Sequence, residues 1–317
     1  MYDIVALGEL LIDFTEIGVS ENGRRLFEQN PGGAPANLVA AAARLGLKTA
    51  FIGKVGSDMH GVFLKRTLEG IGVCTDGLRV SDRVFTTLAF VALGEDGERS
   101  FSFARKPGAD TQLAQEEVNI DILRHAKVFH FGSLSLTDEP AASATRHALS
   151  EAKARGAIIS YDPNYREPLW DSVENAKAQM RSVLPLVDML KLSEEETALL
   201  AGIPNPKEAA LLLHAQGVSC VAVTLGKDGA LLCVHGKTRV VPGFSVPVAD
   251  TTGAGDAFLG AFLFHMLNLG RRPEELSMEE AAECARWGNA GAACCIQKRG
   301  AIPGMPDGAQ IKKLLYG

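Results

Sequence analysis

The 317-residue chain predicts an α/β fold: a mainly parallel central sheet with helices on both faces, plus a small β-sheet lid. Three observations carry that expectation. Short apolar runs alternate along the chain with longer amphipathic ones. Two of the longer runs open on helix-start signals, Asn205-Pro206-Lys207-Glu208 and Ser277-Met278-Glu279-Glu280, each an N-cap oxygen with Glu three residues on. And two stretches, 10–29 and 84–105, break the rhythm by being strand-like with no helix inside them.

Taken in order, the apolar runs at 4–7, 49–55, 128–131, 157–161, 189–192 and 221–225 read as buried strands bounded by Gly or polar residues. Helical spacing falls at 34–45, 140–155, 173–184, 207–216 and 259–269. Strands that alternate with helices imply crossovers and a parallel sheet covered on both faces. Gly94-Glu95-Asp96-Gly97 lies between the strand-like runs 86–93 and 99–104, the pattern of a β-hairpin turn. The expectation is a single domain over 1–317, with the lid built from about 10–29 and 84–105. There is no internal repeat and no low-complexity linker.

Composition excludes several classes. The net charge of −6 and the absence of a Lys/Arg tract argue against nucleic acid and anionic membrane as partners. Asp3, Glu9 and Asp13 interrupt the N-terminal apolar run, which argues against a signal peptide, and no window of ~20 apolar residues spans a membrane. Cytoplasmic location follows as an expectation. Six scattered cysteines without a CxxC pair read as reduced core thiols.

The segment that carries most chemistry is Asp250-Thr251-Thr252-Gly253-Ala254-Gly255-Asp256-Ala257-Phe258, followed by an apolar helix. Two glycines let successive N–H groups point at one ligand, and the helix adds its positive end, so the loop suits a phosphate or a developing anion. Asp256 in the first turn reads either as a helix-start acid or as a general base. Beside a Gly-Ala-Gly anion loop the base is the better assignment. There is no GxxxxGK[ST], and Phe258 occupies the third small-residue position of a dinucleotide motif, so neither a P-loop nor a nicotinamide-binding turn is present. A second glycine motif, Pro31-Gly32-Gly33-Ala34-Pro35-Ala36-Asn37, leads into a helix. Alone it is ordinary punctuation; with a nearby Asn it also suits a polyhydroxylated ligand.

Together these segments closely resemble the two signatures of the ribokinase-like (PfkB-type) carbohydrate kinases, in order and about 220 residues apart. The resemblance covers the whole chain. It implies phosphoryl transfer from ATP with Mg²⁺, Asp256 as base, and the N–H groups of Gly253, Ala254 and Gly255 as anion hole. It implies sugar contacts from Asp13, Gly32, Gly33 and Asn37. Without the resemblance Asp13 reads as a strand-end turn residue. On the nucleotide side it implies Thr224, Gly226 and Gly229, in a TxGxxG segment that reads equally as a hairpin turn, and Asn289, which reads equally as a satisfied helix-interior amide. Ser193-Glu194-Glu195-Glu196 stands where the family usually has Asn-x-x-Glu. Glu196 keeps the acid that helps organise the Mg²⁺ shell, and Ser193 replaces the Asn. A K⁺ site is implied at Asp250 and Thr252 with carbonyls near Cys295 and Gly300, although Gly304 stands where some relatives have a Ser ligand.

For the acceptor, Asp162-Pro163-Asn164-Tyr165-Arg166-Glu167-Pro168-Leu169-Trp170 and the lid segment 94–110 resemble fructokinases, which points to fructose and adds Arg105 and Arg166 as substrate contacts. Either arginine also reads as a solvated surface residue. The alternative within the class is 2-keto-3-deoxygluconate kinase, whose substrate carboxylate would need a fixed cation. Outside the class stand a nicotinamide-dependent oxidoreductase, which the glycine pattern disfavours, and a non-catalytic sensor, which Asp256 disfavours. The resemblance also implies a homodimer that pairs through the lid.

Overall fold

A computed structural model describes residues 1–93 and 99–317; the Gly94–Gly97 turn lies outside the described residues. Thirteen strands form among them: β1 Tyr2–Leu7, β2 Leu11–Val19, β3 Arg25–Gly32, β4 Thr49–Gly56, β5 Cys74–Ser81, β6 Leu88–Leu93, β7 Arg99–Ala104, β8 Ala126–Gly132, β9 Ile158–Asp162, β10 Met189–Ser193, β11 Cys220–Thr224, β12 Ala230–Val234 and β13 Lys237–Val241. Nine of them make the central sheet in the order β13-β12-β11-β10-β9-β8-β1-β4-β5. The pairings from β5 to β11 are parallel, and only β11–β12 and β12–β13 are antiparallel.

The period-2 alternation of each central strand feeds two separate cores. Ile4 and Ala6 of β1 pack on one face with Val39, Phe258 and Phe262, which come from the helices Ala34–Arg44 and Ala254–Asn268. Val5 and Leu7 pack on the other with Phe129, Ala148 and Leu213, under the helices Ala141–Ala154 and Pro206–Ala215. Because both faces are buried, these strands read as continuous apolar runs. Both expected helix starts are present: Asn205 accepts from the N–H groups of Lys207 and Glu208, and Ser277 and Glu280 form a reciprocal capping box.

The four-stranded second sheet has the order β3-β2-β6-β7, with β2–β3 and β6–β7 antiparallel and β2–β6 parallel. It is built from the two stretches that lacked a helix. One boundary differs: β3 continues to Gly32, so the second sheet runs directly into the Gly32-Gly33 turn and the helix behind it. Among the elements not expected from the sequence are the edge strand β5, the helices Met59–Gly70 and Gly308–Tyr316, and the antiparallel strands β12 and β13. The helix Met59–Gly70 buries only Gly61, Leu64 and Leu68, and β13 is largely exposed. Edge elements of this kind carry too little apolar periodicity to announce themselves. All six cysteines are free thiols.

Candidate active site

A cavity of about 540 Å³ opens where the second sheet meets the C-terminal ends of the central strands. That is the usual ligand position for an open α/β sheet. Gly253 closes the approach at φ +81°, and any side chain there would strike Ala301. The helix Ala254–Asn268 begins immediately after it with no side-chain cap, and Gly253, Ala254 and Gly255 line the cavity, so its positive end lies there; the Ala254 N–H itself donates to the Thr251 carbonyl at 3.3 Å. Gly255 has a different constraint: a Cβ there would lie 2.7 Å from Nζ of Lys191. The anion loop is glycine at this point because a lysine occupies the space.

Asp256 projects from the first turn into the cavity, where its Oδ2 accepts a hydrogen bond of 2.8 Å from Nδ2 of Asn37. The two motifs therefore meet across 219 residues of chain. Burial, with Asp162 nearby, pushes the Asp256 carboxyl up to about 6, against the pull of the Asn37 hydrogen bond, Lys191 and Arg166. Such a group is ionised at neutral pH yet basic enough to take a proton. Burial likewise pushes Asp13 up to about 7, opposed by Arg166 and reinforced by Asp250 and Asp256.

The Gly-Gly turn leaves no room for a side chain. A Cβ on Gly32 would fall 2.1 Å from Oδ2 of Asp13, and one on Gly33 would fall 2.3 Å from the carbonyl oxygen of Glu9. Asp13, Gly33, Asn37 and Arg166 all line the cavity, and Asp13 of β2 and Arg166 after β9 approach it from different layers.

At the opposite end, Ser193, Glu196 and Thr224 line the cavity from the ends of β10 and β11. The Glu196 carboxylate accepts the N–H of Tyr165 on one oxygen and that of Ser193 on the other, both at 2.7 Å. Ser193 Oγ in turn accepts the N–H of Glu196 at 3.3 Å. A serine in place of Asn thus closes the turn locally, and Glu196 retains one lone pair per oxygen for metal-bound water. Asp250 accepts from the N–H and hydroxyl of Thr252 and from the N–H of Gly300, while the Thr252 carbonyl lies 3.8 Å from Cys295 Sγ. The four residues expected to hold a monovalent cation therefore converge behind the anion loop. A Cβ at Gly304 would meet the Cys295 carbonyl at 3.1 Å.

Three expected nucleotide residues do not line the cavity. Gly226, Gly229 and Asn289 belong to the turn beyond β11 and its support. A Cβ on Gly229 would sit 2.1 Å from the Val241 carbonyl, and Asn289 donates to the carbonyls of Val241 and Pro242, each at 3.0 Å. Asn289 is a satisfied helix amide that pins the chain after β13. Arg105, expected as a substrate contact, is neither a cavity residue nor a surface one. It is buried, and its guanidinium is spent on Asp110 (2.8 Å), Thr137 (2.8 Å) and the Leu134 carbonyl (2.7 Å). Coming from the end of β7, it pins the second sheet to the body.

Sequence reasoning missed Lys191, its partner Asp162, and Glu9. Lys191 donates to Asp162 Oδ2 at 2.8 Å, both side chains buried. Burial pulls the lysine down, but Asp162 and Glu196 outweigh it and hold the ammonium above its usual range. The signal was available: Lys191 is one charge inside the apolar run Met189–Ser193, and a buried charge demands a partner.

An anion loop at a helix start, a half-buried acid oriented by an amide, and a cation at the floor define a carbohydrate-kinase type of phosphoryl-transfer site. A family model described as pfkB family carbohydrate kinase matches residues 1–308, and the chain belongs to that family. It is 42% identical to the probable fructokinase-4 of Arabidopsis thaliana, over 99% of this chain and 97% of that protein. Among solved structures it is similar to the fructokinase from Xylella fastidiosa with bound ATP, at 34% identity and a TM-score of 0.91, over 99% and 98% of the two chains. It is also similar to a double mutant of the Vibrio cholerae O395 fructokinase in a form with fructose, ADP and potassium, at 31% identity and a TM-score of 0.88, over 99% of each. No helix among the described residues is long and apolar enough to cross a membrane.

Proposed function

We propose that this protein is an ATP-dependent fructokinase that converts fructose and ATP to fructose 6-phosphate and ADP. The single observation that carries the reading is the Asn37–Asp256 hydrogen bond, which joins the glycine turn on the sugar side to the anion loop on the phosphate side. The fructokinases among its relatives support fructose as acceptor. With Arg105 withdrawn into the body, Arg166 is the remaining arginine on the cavity for a substrate carboxylate, which weakens the keto-acid alternative.

In this reading Asp13, Gly32, Gly33 and Asn37 hold the sugar so that its reacting hydroxyl meets Asp256. Asn37 keeps the Asp256 carboxylate in one orientation, and Asp256 takes the proton as the hydroxyl oxygen attacks. The N–H groups of Gly253, Ala254 and Gly255 accept the charge of the transferring phosphoryl, and Lys191 adds a buried positive charge beside Gly255. A Mg²⁺ bound with ATP would supply positive charge against that of the phosphates. Glu196 is positioned to order its water shell. K⁺ would be held by Asp250, Thr252, Cys295 and Gly300, where it steadies the loop without touching substrate.

The second sheet acts as a lid that closes over the sugar and excludes water. The sheet leaves Ile17, Val19, Leu26 and Phe27 exposed, and two copies pair through it as a homodimer in the cytoplasm. A coupled ADP-release assay over fructose, ribose, glucose and 2-keto-3-deoxygluconate tests the acceptor. Fructose should give the highest kcat/KM. Efficient turnover of the keto acid with feeble turnover of fructose overturns the choice of sugar.

A further inference from the structure

Glu9 has no part in the scheme above, yet it is among the most buried acids of the molecule, 2% exposed and on the wall of the cavity. It follows β1, where the chain turns toward the second sheet. One carboxyl oxygen is accounted for: Oε1 accepts the N–H of Ala34 at 2.9 Å, the first residue of the helix behind the Gly-Gly turn. The other, Oε2, is buried and has no hydrogen-bond partner among the described residues. Burial is the main reason the carboxyl is pushed up to about 7.

A structural acid whose whole duty was to cap a helix would not need this arrangement. Capping takes one acceptor, which a serine or aspartate supplies at lower cost. A buried carboxyl with one oxygen left without a donor costs free energy unless a ligand brings the donor. A second acceptor nearby is in the same state. Asn37 gives its amide N–H to Asp256, and its Oδ1 is buried without a partner among the described residues. Both residues line the sugar end of the cavity, on either side of the Gly33-Ala34 turn. Two acceptors that lack donors call for a ligand with two hydroxyl groups.

We propose that Glu9 is a sugar-reading residue: Oε2 accepts a hydrogen bond from a non-reacting hydroxyl of the acceptor, while Oε1 holds the turn that presents Gly33 and Asn37. The inference rests on the carbohydrate-kinase reading of the cavity. It adds a specificity determinant, and it makes one residue responsible both for the shape of the turn and for sensing that a hydroxyl has arrived.

The test is a substitution cycle on the whole enzyme. KM and kcat are measured for fructose and its 1-, 3- and 4-deoxy and deoxyfluoro analogues, with wild type, Glu9→Gln and Glu9→Ala. Glu9→Gln retains an acceptor for the Ala34 N–H, so it keeps the fold if Glu9→Ala does not; melting curves check both. For wild type, one position should lose about 10- to 100-fold in kcat/KM on deoxygenation, the usual effect of removing a donor from a buried charged acceptor. At that same position the loss should shrink to below about 3-fold in Glu9→Ala. In Glu9→Gln the deoxyfluoro analogue, which only accepts, should lose less than it does in wild type. If every analogue carries the same penalty in the variants as in wild type, Glu9 serves the turn alone and the proposal fails. Failure of the fructokinase reading shows separately, as no turnover of fructose by wild type.

Discussion

Replacing Asp256 by Asn should abolish most activity and make the protein more stable, and the two effects together are diagnostic. The substitution keeps the acceptor that Asn37 Nδ2 uses at 2.8 Å, so the orientation of the side chain survives. What disappears is the base, worth about 10²–10⁴ in kcat. The stability gain follows from the titration. Folding raises the carboxyl from 3.8 to about 6, chiefly through burial. Between those values the folded state binds more protons than the unfolded chain, so this group's contribution falls as pH rises and the penalty is complete above about 6. At about 1.4 kcal/mol per tenfold in proton affinity the ceiling is about 3 kcal/mol. Asp256 keeps some solvent contact through the cavity, so about 1–2 kcal/mol is the working figure. In a chain of this size that corresponds to a Tm higher by about 1.5–3 °C at pH 7.5. The advantage should vanish as the buffer is taken toward pH 4. Coupled-assay turnover and paired thermal melts measure both quantities. Turnover within tenfold of wild type refutes the base assignment, and a Tm equal to or below wild type at pH 7.5 refutes the claim that the carboxylate is held at a cost.

Four further outcomes are expected. As pH drops through about 7 and then about 6, kcat/KM should fall, because Asp13 and Asp256 are protonated in turn; a flat profile from pH 8 to 5 contradicts both roles. Arg105→Ala should destabilise by about 3–5 kcal/mol, since it leaves Asp110 buried and unpaired; an unchanged melting curve with a raised sugar KM would return Arg105 to the cavity. Removing Mg²⁺ should stop turnover, and replacing K⁺ by a large organic cation should slow it; equal rates in the two monovalent cations remove that site. Sugar should protect β2, β3 and β6 from hydrogen exchange, and Val19→Asp should convert dimer to monomer in sedimentation; protection confined to the helical body removes the lid, and a monomeric wild type removes the dimer.

Much of this was legible in the sequence because it is local. The run Ile4–Leu7 or Val221–Val223 is apolar on both alternating faces, so burial and parallel pairing follow from a few residues. The Gly-Ala-Gly loop announces its chemistry because only glycine allows that backbone approach. What failed was non-local. Arg105 has its ion-pair partner five residues away, yet nothing in that spacing says that both are buried beneath Leu134 and Thr137. Glu9 entered only as an acid interrupting an apolar run, because the N–H it holds is 25 residues downstream. The need for glycine at 255 likewise depends on a lysine 64 positions earlier, which no local motif records.

The charges around the cavity show how a site walled by acids can receive a polyanion. Glu9, Asp13, Asp250, Asp256, Glu195 and Glu196 all face it, against Lys191 and Arg166. By net charge alone such a cavity repels a nucleotide triphosphate. The chain resolves the conflict by giving the acids different donors. Glu196 is occupied by two backbone N–H groups, and Asp250 by Thr252 and Gly300. Those two hold loops in place with part of their acceptor capacity already engaged. Lys191 is held against Gly255 by Asp162 below the floor, so its charge stays where the anion loop begins. Glu9, Asp13 and Asp256 are concentrated at the sugar end, where hydroxyl groups supply donors and no phosphate need approach before the reacting one. On the proposed reading, a substrate carrying its anion at the sugar end would meet Glu9, Asp13 and Asp256 with Arg166 alone to oppose them, which should favour a neutral sugar over a keto acid.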